Sequence, residues 1–291
     1  MKPILFSLPG NENLAKNLCD LLKAETGDFT LRQFPDEETY IKIHNAVAGR
    51  NTILVCTLDH PDSKLLPLFF LAKTLKDLGA TKVCLVAPYL AYMRQDKRFT
   101  TGEGITSSYF AGLISSFVDE LITIDPHLHR RSNLGEIYTI KTQVIHASEL
   151  VSKWINTYIE NPVLVGPDSE SAQWVEEVAQ QSHSPFIVLE KIRSGDREVS
   201  VSAPPIEKYK DHTPVLVDDI ISTGRTLVET IRQLKLLGMK PPVCIGVHGI
   251  FAGNAYAELL EAGAGKIITT NCIPHPSNAI DIVGLIESAL L

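Results

Sequence analysis

The chain has 291 residues, a length that accommodates one large or two ordinary α/β domains. Hydrophobic residues make up 44% of it and charged residues 21%, and the net charge of −7 gives no indication of binding to nucleic acid or to an anionic membrane. No apolar run approaches the roughly 20 residues of a membrane span. The five cysteines are scattered without a Cys-x-x-Cys pair. These features predict a cytoplasmic protein with reduced, buried thiols and no nucleic-acid or membrane partner.

In the first half, apolar runs alternate with segments of helical periodicity. We predict strands near residues 2–8, 28–33, 52–56, 82–87 and 120–124, with a further alternating strand after the turn at Phe34. Helices are predicted to begin at Asn11, to run over 62–78, and to run over about 105–117. Residues 89–104 show no clean period and are mostly polar, which indicates a loop.

The second half repeats this plan. Predicted helices cover 147–159, 169–181, 254–261 and the chain from about 279, and predicted strands cover 163–165, 186–189, 243–247 and 266–270. A further strand at 198–202 lies in a charged, proline-bearing segment. Strands that alternate with helices predict parallel sheets. We therefore expect two similar α/β domains, 1–145 and 146–291, with the last helix a candidate to pack on the first domain.

The most informative stretch runs from Val215 to Leu227. A short apolar run leads to two adjacent carboxylates, Asp218 and Asp219, and a hydroxyl-rich loop then leads into a helical pattern. Such a strand, loop and helix can turn backbone N–H groups toward an anion at the start of the helix. Carboxylates at a strand end lie where open α/β sheets bind ligands. The stretch predicts a phosphate site beside a ribose diol or a metal-bound diphosphate; the alternative is an acidic strand end capped by Ser or Thr.

Four further polar stretches lie at the ends of predicted strands. Residues 92–97, followed by the glycine-bearing loop 98–104, suit a mobile grip on a polyphosphate or a solvated charged loop. Residues 125–129 offer two histidines for a metal or a phosphate, although spacing alone favours a helix cap with surface histidines. Residues 166–171 place a carboxylate before a helix, which an N-cap also explains. Residues 191–193 carry two cations that suit a diphosphate or ordinary surface charge.

Taken together and in this order, these stretches resemble the ribose-phosphate diphosphokinases, or PRPP synthetases. The pieces that carry the resemblance are FPDEET at 34–39, YMRQDK at 92–97, DPH at 125–127, GPD at 166–168, KIR at 191–193, VDDIISTG at 217–224 and VHGIF at 247–251. The resemblance implies two phosphoribosyltransferase-like domains, each a mostly parallel sheet flanked by helices. It also implies transfer of a diphosphoryl group from ATP to ribose 5-phosphate, giving PRPP and AMP, with Mg²⁺ as the cofactor.

The resemblance also assigns a role to individual residues. In the second domain it implies that ribose 5-phosphate is held by Asp218, Asp219, Ser222, Thr223, Gly224, Arg225 and Thr226. In the first domain it implies that ATP is met by Arg94, Gln95 and Asp96, and by Phe34, Asp36 and Glu38 of a neighbouring subunit. Such a shared site implies a homo-oligomer, at least a dimer. The metal ligands would be His127 and Asp168, and the transition state would be stabilised by Lys191 and Arg193.

Two rival functions remain at this stage. A phosphoribosyltransferase consumes PRPP and shares the central loop, but its usual single domain leaves half of this chain unexplained. A non-catalytic regulatory homologue of the synthetase is expected to have lost reacting residues, which are present here. The chain departs from the family at Arg225, where a small residue is usual, and at Glu170, which adds negative charge beside the expected diphosphate.

Overall fold

The computed structural model describes residues 2–167, 171–194, 198–202 and 206–291. These residues form two compact units. The first unit comprises the chain up to Ile145 together with Val283–Leu291, and the second comprises His146–Ile282. Each unit is an α/β layer structure built around its own sheet.

The first unit is built on a six-stranded parallel sheet. Its strands, in the order β2-β1-β5-β6-β7-β8, are β1 (Ile4–Ser7), β2 (Glu25–Thr26), β5 (Asn51–Val55), β6 (Lys82–Ala87), β7 (Glu120–Ile124) and β8 (Lys141–Ile145). The helices of this unit are α1 (Glu12–Leu22), α2 (Pro61–Asp77), α3 (Thr106–Ser115) and α8 (Val283–Leu290). An antiparallel ribbon of β3 (Phe29–Gln33) and β4 (Thr39–Ile43) stands apart from the sheet.

The second unit has a matching six-stranded parallel sheet. Its strands, in the order β10-β9-β13-β14-β15-β16, are β9 (Pro162–Gly166), β10 (Phe186–Val188), β13 (Thr213–Ile221), β14 (Val243–Gly249), β15 (Lys266–Thr270) and β16 (Asn278–Ile280). The helices are α4 (Ser148–Tyr158), α5 (Ala172–Ser182), α6 (Arg225–Leu236) and α7 (Ala255–Ala262). Strands β11 (Glu190–Ser194) and β12 (Glu198–Ser202) form a second antiparallel ribbon.

Burial on both faces explains why the central strands read as continuous apolar runs. On one face of the second sheet, side chains of α6 and α7 such as Leu234 and Leu259 pack in one fully buried cluster. On the other face, side chains of α4 and α5 such as Ile155 and Val178 form a separate buried cluster. Helices therefore cover both faces of this sheet and leave its strand ends, with their loops, as the open polar surface.

The two units share one connectivity, and this confirms the predicted fold class of two similar α/β domains with mostly parallel sheets. In each unit the second strand lies on one side of the first, an antiparallel ribbon follows, and the next strand lies on the other side. This reversal occurs between β1 and β5 and between β9 and β13. Open parallel sheets bind ligands outside the carboxyl ends of the strands at such a reversal.

Three local expectations were wrong. The strand β8 and the strand β16 were not predicted, because both are short edge strands with polar residues and no continuous apolar run. Since Asn278–Ile280 pairs with β15, the last helix begins at Val283 and not near residue 279. Residues 191–193 come after β10 as expected, but they do not form an open strand end, because they lie inside a further strand, β11.

Candidate functional site

The stretch from β13 to α6 has the strand, loop and helix geometry that the sequence predicts. Asp218 and Asp219 are half-buried and lie near the carboxyl end of β13, which continues to Ile221. Residues 222–224 form the loop, and Gly224 is the N-cap of α6 with φ of +66°, in the left-handed region that favours glycine. Thr223 and Arg225 are exposed, so the first turn of α6 is open to an incoming anion.

The loop after β13 is tethered by the segment that follows β14, a contact that the sequence did not reveal. Backbone N–H groups of Ile250 and Phe251 both donate to the Ile221 carbonyl at 3.0 Å, and the N–H of Ala252 donates to the Ser222 carbonyl at 3.1 Å. The Phe251 ring in turn packs against His275, with ring centroids 4.5 Å apart. The motif VHGIF was part of the family resemblance, but its physical role is this backbone clamp.

The neighbouring positions of the second unit fall partly outside the described residues. Asp168 follows β9, which lies directly beside β13, but residues 168–170 are not among the described ones, and neither is the departure at Glu170. Lys191 and Arg193 lie in β11, and their side chains are likewise outside the described part. The roles that the resemblance assigns to these residues stay predictions.

In the first unit, the loop after β6 is anchored on its amino-terminal side by Tyr92. This residue has a positive φ of 63°, its hydroxyl donates a short hydrogen bond to the Asp62 carboxylate, and its ring lies 4.8 Å from that of Phe110. The bond to Asp62, together with burial, raises the pKa of Tyr92. The residues that follow differ in exposure: Arg94 is exposed, while Asp96 is buried.

The glycine-bearing loop 98–104 is held by its own side chains more firmly than its composition suggests. The Glu103 carboxylate accepts hydrogen bonds from the backbone N–H groups of Phe99 at 2.7 Å and Thr100 at 3.0 Å, and from the Thr100 hydroxyl at 2.8 Å. The Nε of Arg98 donates to the Glu103 carbonyl at 2.9 Å. These bonds lower the pKa of Glu103, which remains charged at neutral pH and closes the loop as an ordered turn.

The reversal point of the first sheet is also cross-linked. Asn11, which is 3% exposed, accepts a hydrogen bond from the Thr57 N–H at 2.9 Å and donates to the Leu8 carbonyl at 3.2 Å. The N–H of Leu58 then donates to the Tyr89 carbonyl at 3.0 Å. These hydrogen bonds join the loops after β1, β5 and β6 at the carboxyl edge of the sheet, next to the loop that contains residues 94–96.

The β3–β4 ribbon presents Phe34 at its turn. The turn is closed by hydrogen bonds from the Phe34 N–H to the Glu38 carbonyl and from the Glu37 N–H to the Phe34 carbonyl, at 2.8 and 2.9 Å. Phe34 is 40% exposed, and the guanidinium of Arg32 lies 4.6 Å from the centre of its ring. Asp36 and Glu38 are exposed beside it. An aromatic ring with adjacent carboxylates can stack on a base and accept from its amino group.

The candidate metal residue His127 follows β7 at the same carboxyl edge. It is half-buried, and its ring lies edge-to-face against that of the exposed His129, with centroids 3.9 Å apart. Mg²⁺ prefers oxygen ligands and binds through one or two protein groups when substrate phosphates supply the rest. An imidazole is a nitrogen donor and not one of these oxygen ligands, so the role of His127 at the metal stays a prediction.

Comparison with known proteins covers almost the whole chain. Residues 3–117 match the N-terminal domain of ribose phosphate pyrophosphokinase, and residues 133–281 match the phosphoribosyl transferase domain. A ribose-phosphate pyrophosphokinase from Saccharolobus solfataricus is 33% identical over 287 residues, which is 97% of this chain and 95% of the relative. One from Sulfolobus acidocaldarius is 32% identical over 276 residues, which is 94% of each chain. This chain belongs to the ribose-phosphate pyrophosphokinase family.

The structural comparison agrees at the level of the fold. The crystal structure of phosphoribosylpyrophosphate synthetase from Mycobacterium smegmatis superposes with a TM-score of 0.88 and 24% identity, and the match covers 100% of this chain and 98% of that one. No helix in the described part of the chain combines the length and apolar character needed to cross a membrane. Family membership confirms the resemblance from sequence, and with it the class of enzyme.

Proposed function

We propose that the chain transfers the diphosphoryl group of ATP to the C1 hydroxyl of ribose 5-phosphate, forming PRPP and AMP with Mg²⁺. The observation that carries this proposal is the match of residues 3–117 to the N-terminal domain of ribose phosphate pyrophosphokinase. A phosphoribosyltransferase requires only a domain such as the one matched by residues 133–281. The additional domain, with its own polar carboxyl edge, is expected for an enzyme that must also bind ATP.

Ribose 5-phosphate is assigned to the second unit. The backbone of residues 222–226 at the start of α6 would hold the 5-phosphate, because N–H groups there lack helical partners and the helix dipole favours an anion. Arg225 would add a positive charge at this helix start, where a cation is otherwise unfavourable. Asp218 and Asp219 would accept hydrogen bonds from the ribose hydroxyls. The clamp formed by residues 250–252 supports this assignment, since it fixes the loop before the ligand arrives.

ATP is assigned to the first unit. The exposed Arg94 and the half-buried Gln95 would meet the polyphosphate, with residues 98–104 beside it. His127 and Asp168 would hold Mg²⁺, which when bound neutralises phosphate charge. Lys191 and Arg193, which lie in β11, would stabilise the charge that develops in the transition state, as the family resemblance implies.

The proposed step balances without an additional reactant. The C1 hydroxyl oxygen of ribose 5-phosphate forms a bond to the β-phosphorus, and the bond from that phosphorus to the bridging oxygen of AMP breaks. AMP leaves with the bonding electron pair, and the hydroxyl proton passes to water. Positioning and charge neutralisation account for most catalysis of such transfers. The tethered loops described above serve that requirement.

The direct test is to incubate the purified protein with ATP, ribose 5-phosphate and Mg²⁺ and to quantify AMP and PRPP by chromatography. Equimolar AMP and PRPP, absent without ribose 5-phosphate and abolished by a chelator, are expected. A second reaction with PRPP and each nucleobase tests the rival function, since release of diphosphate with nucleotide formation would identify a phosphoribosyltransferase. No turnover in either reaction would indicate a non-catalytic homologue.

The adenine site is proposed to be completed by the β3–β4 ribbon of a second copy, which would supply Phe34, Asp36 and Glu38. One variant is disabled at Asp219 and another is disabled at both Phe34 and Glu38. Each alone should be nearly inactive, and unfolding and refolding them together should restore a fraction of the activity. Separate refolding followed by mixing is the control. If mixed oligomers form and no activity returns, the ribbon does not serve a neighbouring ATP site.

A further inference from the structure

The side chain of Asp96 faces inward and is matched by an arginine from a distant part of the sequence. Only 3% of the Asp96 side chain is exposed, and Nη1 of Arg130 lies 3.2 and 3.4 Å from its two carboxylate oxygens. A buried carboxylate is costly unless it is paired and hydrogen-bonded. Arg130 therefore stabilises the charge of Asp96 inside the first unit.

The next residue, Arg131, holds the backbone of the same loop. Its Nη2 donates to the Asp96 carbonyl at 3.4 Å and to the hydroxyls of Ser107 and Ser108 at 3.4 and 3.2 Å. The Arg131 side chain is 16% exposed, so these bonds are largely shielded from water. Ser107 and Ser108 lie in the first turn of α3. One guanidinium therefore joins the loop after β6 to the beginning of that helix.

Gln95 is fixed by the same helix. The N–H of Ser107 donates to the Gln95 carbonyl at 3.3 Å, and the hydroxyl of Thr106 donates to the Gln95 side-chain oxygen at 3.0 Å. The arginines follow His127 within the segment after β7. The loop with Gln95 and the loop with His127 are thus joined through two adjacent guanidinium groups.

We propose that Arg130 and Arg131 are positioning residues for the nucleotide, and that Asp96 is their internal anchor and not a ligand of ATP. This inference rests on the proposed function, because it deepens the assignment of residues 94–96 to ATP. With Asp96 turned inward, Arg94 is the charged side chain of this trio left exposed to a polyphosphate. Arg130 and Arg131 hold the backbone of residues 94–96 in the conformation that exposes the Arg94 side chain.

The charge on Asp96 gives a discriminating test. Arg130→Met leaves a buried carboxylate unpaired, and we expect the KM for ATP to rise about tenfold while the KM for ribose 5-phosphate stays within twofold. Adding Asp96→Asn removes the unpaired charge, so the double variant should bind ATP at least as well as Arg130→Met alone. Arg130→Lys keeps a cation and should restore most of the loss. If Asp96 contacts ATP directly, the double variant will be worse than either single variant.

Hydrogen exchange in the absence of substrate tests whether Arg131 holds the loop after β6 against α3. In the ligand-free protein, Arg131→Ala should speed amide exchange across residues 94–108 about tenfold or more, because the loop loses its bonds to α3. The matched control is Arg50→Ala. Arg50 is similarly shielded, at 15% exposed, and bonded to Glu25 at 2.6 Å, but it precedes β5 and lies at the amino edge. That control should speed exchange near residues 2–26 and leave both KM values unchanged.

The KM measurements and the hydrogen-exchange experiment together distinguish failure of this inference from failure of the proposed function. A wild-type protein that forms no AMP from ATP and ribose 5-phosphate refutes the proposed function. Amide exchange in Arg131→Ala then decides whether Arg131 holds the loop after β6. If the wild type is active, unchanged KM values in Arg130→Met, or an equal rise for both substrates, overturn the positioning role. Unchanged amide exchange across residues 94–108 in Arg131→Ala overturns the inference that Arg131 holds this loop.

Discussion

Gly224 provides a direct test of the loop that is assigned to the 5-phosphate. Its φ of +66° places it in the left-handed region, and a Cβ built on it would lie 3.4 to 3.6 Å from side-chain atoms of Leu259. Those are ordinary contact distances, so Gly224→Ala introduces no clash. The cost of the substitution is therefore conformational, about 1–2 kcal/mol for an L-residue held in this region.

The loop can respond in two ways, and both are measurable. If it keeps its conformation, the free energy of unfolding of the second unit falls by about 1–2 kcal/mol. If it relaxes to a negative φ, part of that cost is transferred to ligand binding, and a transfer of about 1.4 kcal/mol corresponds to a tenfold weaker interaction. We expect an intermediate result, with the KM for ribose 5-phosphate raised about three- to tenfold.

Gly238, which follows the C-cap residue Leu237 of α6, is the matched control. Its φ of +73° is similar, and nothing lies within 4 Å of a Cβ built on it. Urea midpoints should fall to a similar extent for Gly224→Ala and Gly238→Ala, whereas only the former should change the KM for ribose 5-phosphate. Gly224→Asn should behave closer to the wild type, because Asn tolerates the left-handed region. An unchanged KM in Gly224→Ala, or an equal rise in the KM for ATP, would refute the assignment of this loop.

Further variants test charge at specific positions. Asp219→Asn should lower turnover on the order of 10²-fold, or about 2.7 kcal/mol, with an unchanged urea midpoint; near-normal turnover would contradict its role. Arg225→Ala should raise the KM for ribose 5-phosphate, and raising the salt concentration should reduce the difference from wild type. Lys191→Ala should lower kcat much more than it raises either KM, and an effect confined to the KM for ATP would show ground-state binding instead.

The stability of the first unit should depend on pH through Glu120. Burial raises the pKa of this carboxylate, but the bonds from Lys141, at 2.5 Å, and from Lys82 outweigh it and leave the pKa below its ordinary value. The stabilisation is therefore present above the ordinary glutamate pKa of about 4.3 and is lost as pH falls through the lower folded value. Urea midpoints of wild type and Glu120→Gln should converge in acid; a constant difference would contradict this explanation.

The sequence predicted the parts of the site that depend on local order. The run from Val215 to Leu227 carries its own strand, carboxylates, glycine and helix signal within 13 residues, and the structure has that geometry. The fully buried central strands were equally clear, because burial on both faces requires continuous apolar runs. Edge strands such as β16 lack that constraint. They were missed for that reason.

The sequence could not predict how charged residues in one run divide their roles. Arg94 and Asp96 are two positions apart in a polar loop, and no local pattern shows that one is exposed and the other buried. The decision is made by Arg130, which lies 34 positions further along the chain and pairs with Asp96. Glu103 is similar, because no local pattern in the sequence shows that its carboxylate accepts hydrogen bonds from Phe99 and Thr100.

The two units meet one physical requirement in the same way. Transfer of a diphosphoryl group depends on placing reactants, and a displacement of about 1 Å can cost on the order of 10²-fold in rate. The loops at the carboxyl edge are long enough to adopt several conformations. Each therefore needs hydrogen bonds to a neighbouring strand end to hold it in one conformation. In the first unit Asn11 and the two arginines after His127 provide them, and in the second unit the backbone of residues 250–252 does. Because these hydrogen bonds come from polar groups within the protein, they can hold an anion-binding loop without occupying the N–H groups that the anion requires.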